Sequence, residues 1–406
     1  MSPSWGRFTA RGGPELEARI AKWMQEAADR MQAVLAPREY RSVVLLGGYG
    51  RGEGGVERRA KGEFPHNNFD LLVLATVPRR KIPGLKARVQ EALAPLAAEC
   101  GIGLDIGVIS HAGLLRSPCL VMWYDMRHGH KTLLGDPQAL SSLERFRRDR
   151  IVPDDVRNLL VNRGTLLVIN DVLREQGGRE EDLRRTLVRH AVKAVIGFGD
   201  ALLFFLGDYH WSYCEKQKRM REQEGISASF RRLYDQAMEF RFEPDYVRFP
   251  GCELDAWSDR LRAELEPVHL LCESLRLRRP GLRWEDYGEA AFHSVLGEGL
   301  RHPLRLARGA KGLLSGRNGL PARTLRARLG LRLSRARDRL SILFPVVAYD
   351  LAVPALRRLA CREFGAAGED LPSLRRAYLR SWGTHGDVNF AAMVRKLGIS
   401  LEDAPR

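Results

Sequence analysis

Hydrophobic positions change their period near residue 153. Before that point, short apolar runs alternate with stretches of three-and-four spacing. Leu16, Ile20, Trp23, Met24, Ala27 and Met31 recur at helical spacing and predict a helix over 14–36. Val43–Leu46 and Leu71–Leu74 are unbroken apolar runs bounded by turn residues, which predicts two strands. A helix over 83–98, a strand over 102–109, a helix over 114–127 and a short strand over 131–136 follow. Beyond Pro153 strand signals fade, and the spacing predicts helices over 156–174, 183–206, 230–240, 255–277, 287–300, 340–360, 371–382 and 388–397. Pro345 and Pro354 should break or kink the chain near 350. The expected fold class is α+β: a small mixed sheet with flanking helices in residues 1–150, then an all-helical domain in 151–406.

The stretch between the first two strands carries the chemistry. Gly47, Gly48, Gly50, Gly52, Gly54 and Gly55 are six glycines in nine positions, directly after the run ending at Leu46. Glycine tolerates φ > 0 and leaves room for close approach to a ligand, and N–H groups at a helix start favour phosphate. Asn68-Phe69-Asp70 opens the second strand, and residues two apart share a face, so Asn68 and Asp70 point together towards the turn. The same loop contains Gly50-Arg51-Gly52-Glu53-Gly54-Gly55, which satisfies the dinucleotide fingerprint G-x-G-x-x-G. That fold wants its ribose-binding acid at the end of the second strand, whereas Asp70 stands at the start. A glycine-rich surface loop with no ligand is the plainest alternative.

Leu46-Gly47-Gly48 and Asn68-Phe69-Asp70, with Asp105 in Gly103-Leu104-Asp105-Ile106 on a later strand, resemble the signature of the DNA polymerase β-like nucleotidyltransferase superfamily. Leu133-Leu134-Gly135-Asp136 is similar to an ending found at this place in such proteins. The resemblance spans residues 14–136. It departs from the family in two ways: Asn68 stands where the family has its first acid, and the loop before it is longer. It implies a nucleotidyltransferase fold with a helical domain after it. It also implies Mg²⁺-dependent transfer of a nucleoside monophosphate from an NTP to an unidentified acceptor.

Such chemistry uses up to two Mg²⁺ ions about 4 Å apart, and Mg²⁺ takes hard oxygen ligands. The resemblance makes Asn68, Asp70 and Asp105 the metal and catalytic set, with Asp105 able to take the acceptor's proton. Gly47, Gly48 and Gly50 would offer backbone N–H groups to the nucleotide's phosphates, and Arg51 a positive charge. An amide at 68 ligates without adding charge, so a weakened enzyme, a degenerate nucleotide-binding regulatory or RNA-interacting protein, and an engineered Asp→Asn change all stay open.

Charge adds a second candidate surface. The formal net charge is +16. Residues 301–340 hold twelve Lys or Arg against Asp338 alone, 12 − 1 = +11. Such a segment suits a polyanion or is a solvated helical face. Six scattered cysteines with no C-x-x-C argue against a zinc site or disulfide scaffold and suit a reducing cytoplasm. The N-terminus lacks a signal-peptide core, and no run approaches a membrane span, so no transmembrane segment is expected. A polar cluster on and after the most apolar helix comprises Lys193, Asp200, Asp208, Tyr209, His210, Ser212 and Tyr213. Within it Lys193 is a candidate phosphate contact and the tyrosines candidate base or sugar contacts. The alternative is a satisfied interhelical network. Arg185 to His190 also fits the R-x4-6-H spacing of HEPN ribonucleases, which any helix can offer by chance.

Overall fold

The computed structural model describes residues 5–177, 180–247, 249, 253–301, 324–387 and 389–401. The chain forms two compact units. Unit 1 comprises Met1–Val156, Asp208–Ser227 and Arg231–Val247; unit 2 comprises Arg157–Gly207, Ala228–Phe230 and Arg248–Arg406. A segment from beyond residue 150 is therefore built into the first unit.

Unit 1 begins with α1 (Pro14–Val34), whose first turn carries Pro14, Glu15 and Glu17, residues suited to the positive end of a helix. Strand β1 (Tyr40–Leu46) leads into a five-residue helix α2 (Gly47–Arg51). A hairpin of β2 (Val56–Arg59) and β3 (Gly62–Pro65) precedes β4 (Phe69–Ala75). Helix α3 (Ile82–Cys100), β5 (Leu104–Ser110), α4 (His111–Arg116), α5 (Val121–His128) and β6 (Lys131–Gly135) follow. The sheet order is β5-β4-β1-β6. β1 is antiparallel to β4 and to β6, and β4 is parallel to β5.

The two central strands are the two unbroken apolar runs. Val43 to Leu46 and Leu71 to Leu74 are all buried, because both faces of β1 and β4 are covered. Phe69, Leu71, Val73 and Ala75 face a core shared with Leu16, Ile20 and Met24 of α1 and Val89, Leu93 and Leu96 of α3. The alternate positions of β4, beginning at Asp70, face the other way. Burial of that α1–β4–α3 core is the main favourable term in unit 1.

Several features differ from the expected elements, among them the helices Tyr213–Arg221 and Leu325–Leu333, which were not expected. The long loop before Asn68 is the β2–β3 hairpin, which its charged sequence hid. The helix expected over 114–127 is broken into α4 and α5 at Ser117-Pro118, since proline disfavours helix in the residue before it. The helix expected over 340–360 is two, Ala336–Tyr349 and Pro354–Phe364, with Asp350 left-handed at the break. Pro345 stays inside the first of these, and Pro354 starts the second.

The last part of unit 1 is α8 (Tyr213–Arg221) and most of α9 (Ala228–Phe242). Unit 2 is helical: α6 (Pro153–Gln176, mostly in this unit), α7 (Glu180–Phe205), and further helices over 254–277, 284–301, 325–333, 336–349, 354–364, 371–385 and 390–397. Its described residues bury His269, Glu273, Phe344 and Tyr378 among apolar side chains. No single helix among the described residues is long and apolar enough to cross a membrane. Of the basic segment 301–340, residues 302–323 lie outside the described residues.

Candidate functional site

The topology brings the predicted acids to one edge of the sheet. β1 and β4 are antiparallel, so the end of β1 lies beside the start of β4, with Leu46 opposite Asp70. β4 and β5 are parallel, so their starts lie together, and Asp70 pairs with Asp105 in register. Paired residues on adjacent strands share a face, so the two carboxylates are neighbours. Asn68 precedes β4, and its amide Nδ2 donates to Asp105 Oδ2 at 2.9 Å. Phe69 between them points inward, packing on Tyr49 with ring centroids 4.6 Å apart. Asn68 and Asp105 are exposed and Asp70 is half-buried. The amide also lies against Gly103, where a Cβ would come within 2.9 Å of Asn68 Cγ.

The glycine turn closes over this acidic pair. Gly47 has φ +66°, and a Cβ there would collide with Asp70 Oδ2, so the carboxylate rests on the Gly47 backbone. Tyr49 is buried and anchors the turn: its hydroxyl donates to the Gly55 carbonyl at 2.8 Å and accepts from His66 N–H at 3.0 Å. Burial pushes the Tyr49 phenol well above its ordinary pKa, so it stays a neutral donor.

The other predicted nucleotide contacts are placed differently. Gly50 is packed under the Leu45 carbonyl, where any Cβ would clash. Arg51 is buried and paired with Asp125 at 2.8 Å. Burial disfavours its charge, but Tyr213 and Asp125 beside it more than offset that and hold its pKa above the usual guanidinium value. Arg51 thus anchors α2 to α5, while its Nε and Nη1 are buried without a hydrogen-bond partner among the described residues. Lys193 is exposed on α7 in unit 2. The polar cluster it was read with is divided: Lys193 and Asp200 belong to unit 2, and Asp208 to Tyr213 to unit 1.

A second layer of polar groups lies behind the glycine turn. Glu53 is buried and accepts from the Ser212 hydroxyl and from Tyr213 N–H at 2.7 Å, so it caps the start of α8. Tyr209 donates its hydroxyl to Asp125 at 3.0 Å. The Tyr213 ring is surrounded by cations: Arg241 at 3.8 Å, Arg51 at 4.4 Å and Lys216 at 4.5 Å from its centroid. Its faces are therefore taken, which argues against its stacking on a base. Tyr209, Ser212 and Tyr213 of this layer belong to the polar cluster that the sequence offered, whereas Glu53 was visible only as the acid inside the glycine run. Lys216 and Arg241 had no sequence signal.

Elsewhere, His190 is half-buried, with Nδ1 2.8 Å from Asn170 Oδ1. Desolvation, aided by Lys193 and Arg189, lowers its pKa to about 3 and keeps it neutral. Among the described residues no group of three or more His, Cys, Asp or Glu gathers as a metal site. The Asn68 amide stands beside the acidic pair. Two adjacent carboxylates and an amide oxygen are still hard donors, a set that fits one Mg²⁺ better than two. No family model, curated protein or solved structure matches this chain.

Proposed function

We propose that unit 1 is a nucleotidyltransferase module that moves a nucleoside monophosphate from an NTP to an acceptor oxygen. One observation carries this reading. Asp70 and Asp105 are held side by side on parallel strands, with the Asp70 carboxylate seated on the Gly47 turn. Carboxylates placed together outside a core repel one another, so their retention at a glycine turn suits a cationic ligand shared between them and phosphate oxygens. Asp70 and Asp105 would hold Mg²⁺, which when bound offsets the charge of the triphosphate. The missing side chain of Gly47 lets the Asp70 carboxylate sit against the backbone, and that of Gly48 admits Arg241 Nη2. Asp105, the more exposed acid, takes the proton as the acceptor oxygen bonds to the α-phosphorus and pyrophosphate departs. The acceptor's identity is not encoded in this geometry.

The hydrogen bond from Asn68 to Asp105 favours a second reading, in which the module binds nucleotide for regulation or RNA interaction without turnover. An amide donor neutralises nothing and occupies one lone pair of the acid that would serve catalysis. The two readings part in one experiment: titrate the protein with each of the four NTPs and Mg²⁺, then measure pyrophosphate release. Release lost in Asp70→Ala supports transfer. Binding that needs Asp70, without release, supports the regulatory reading. Nucleotide binding unchanged by Asp70→Ala refutes both.

A further inference from the structure

Three cations converge on one aromatic ring behind the glycine turn, with Asp125 and Glu53 close by. Asp125 is taken by Arg51 and the Tyr209 hydroxyl. Glu53 is taken by the Ser212 hydroxyl and the Tyr213 N–H. In this cluster, buried guanidinium nitrogens without a hydrogen-bond partner among the described residues occur on Arg51 (Nε and Nη1) and on Arg241, and Arg241 is the one of the two that lies against Gly48. Its Nε is buried with no hydrogen-bond partner among the described residues. Its guanidinium lies 3.8 Å from the Tyr213 centroid, a stacked arrangement. Stacking holds a guanidinium by its face and leaves its N–H edges directed outward in the plane. Its Nη2 reaches Gly48, where even a Cβ would stand only 3.2 Å away. Gly48 adjoins Gly47, on which the Asp70 carboxylate rests. A buried donor without a partner is costly, and a planar fork is the side chain best matched to an oxyanion.

From this geometry we infer that Arg241 is a phosphate-binding residue, supplied to the glycine turn by α9, which contacts an oxygen of the nucleotide's polyphosphate. It fills the role that Arg51, buried against Asp125, does not. Tyr213 and Glu53 are positioning residues: Tyr213 holds the guanidinium flat, and Glu53 fixes the start of α8, which carries Tyr213. The inference rests on the nucleotide reading of the acidic pair, but it names an oxyanion site that can be tested without turnover.

The test is calorimetric titration of the full chain with inorganic tripolyphosphate and with each Mg²⁺–NTP, in the unchanged protein, Arg241→Met and Arg241→Lys. Met keeps the alkyl packing without charge. The Met variant should bind both ligands roughly 10- to 100-fold more weakly, the range expected for a lost charged hydrogen bond. Lys keeps charge without the fork and should fall between. Melting curves establish folding, and if the Met variant does not fold, the Lys variant decides. Affinities within twofold of the unchanged protein in the deciding variant would overturn the inference and leave the nucleotide reading standing. Tripolyphosphate binding that depends on Arg241, without any NTP binding, would keep the oxyanion site and refute the nucleotide reading. Binding of neither ligand by the unchanged protein would refute both.

Discussion

Asn68→Asp separates a metal site from a structural hydrogen bond. Asn68 Nδ2 donates to Asp105 Oδ2 at 2.9 Å. The substitution replaces that donor with a second anionic oxygen of nearly the same size. Without a cation, the protein loses one hydrogen bond, about 1 kcal/mol. It gains repulsion between charges roughly 4 Å apart at an exposed site, about 1 kcal/mol with water-like screening. The sum, about 2 kcal/mol, should lower the melting temperature by about 4–8 °C for a unit of this size. Mg²⁺ should reverse the order, because the variant offers three carboxylates where the unchanged protein offers two. A site with Kd of order 0.1 mM gains about 2.7 kcal/mol at 100-fold excess of ion. The assay is a melting series in MgCl₂ from zero to about 10 mM with NaCl adjusted to constant ionic strength, alongside Mg²⁺–NTP titration. The variant should melt lower without Mg²⁺, and its Mg²⁺-induced rise should exceed that of the unchanged protein. An identical Mg²⁺ response in both proteins would refute the claim that Asn68, Asp70 and Asp105 form a metal-binding edge.

Other expectations follow from buried groups. Asp125→Ala leaves the buried Arg51 guanidinium without its partner, and denaturant titration should show a loss of about 3–5 kcal/mol; Asp149→Ala, which breaks the exposed Arg147 pair, should cost under about 1 kcal/mol. Gly47→Ala should cost about 1–3 kcal/mol for its left-handed backbone alone and also displace Asp70, so Mg²⁺–NTP affinity should fall with it; unchanged affinity would disconnect the turn from the site. His269 in unit 2 is buried, and desolvation lowers its pKa to about 4, against the opposing charge of Glu273. Above pH 6.5 it is neutral whether folded or unfolded; below that the unfolded chain takes a proton that the folded one refuses, so stability falls as pH drops from 6.5 towards 4, by about 2 kcal/mol at pH 5. Denaturation at pH 7.5 and 5.0 measures this, and His269→Asn should flatten the difference; an equal loss in that variant assigns the pH dependence to other groups.

The elements that were legible in sequence are those whose pattern is local. Residues 14–34 and 82–100 repeat apolar side chains at helical spacing, and the central strands are unbroken apolar runs, so their burial is written in their own composition. The β2–β3 hairpin was not legible, because Val56-Glu57-Arg58-Arg59 and Gly62-Glu63-Phe64-Pro65 are mostly polar and form a two-stranded sheet of their own. α8 was not legible for a related reason: it buries Lys216 and Gln217, residues that read as solvent-facing until Tyr209, Tyr213, Asp235 and Glu239 are seen around them.

The site divides along the same line. That Asn68 and Asp70 share a side follows from the period of two in a strand, a property of neighbours in sequence. That Asp105 joins them depends on strand order and direction: a parallel partner places start beside start, whereas an antiparallel one would have placed Asp105 beside the far end of β4. Arg51 shows the limit of proximity in sequence. It lies four residues from Gly47, yet α2 turns its side chain inward to Asp125, 74 residues away along the chain. Arg241 is 193 residues from Gly48 by number, 241 − 48, and its Nη2 comes up against Gly48 because α9 packs within unit 1. On the proposed nucleotide reading, a positive charge at the glycine turn must come from a side chain that the fold does not already use. In this fold the cation next in sequence is consumed in joining α2 to α5, so the position beside the turn falls to an arginine brought by tertiary packing.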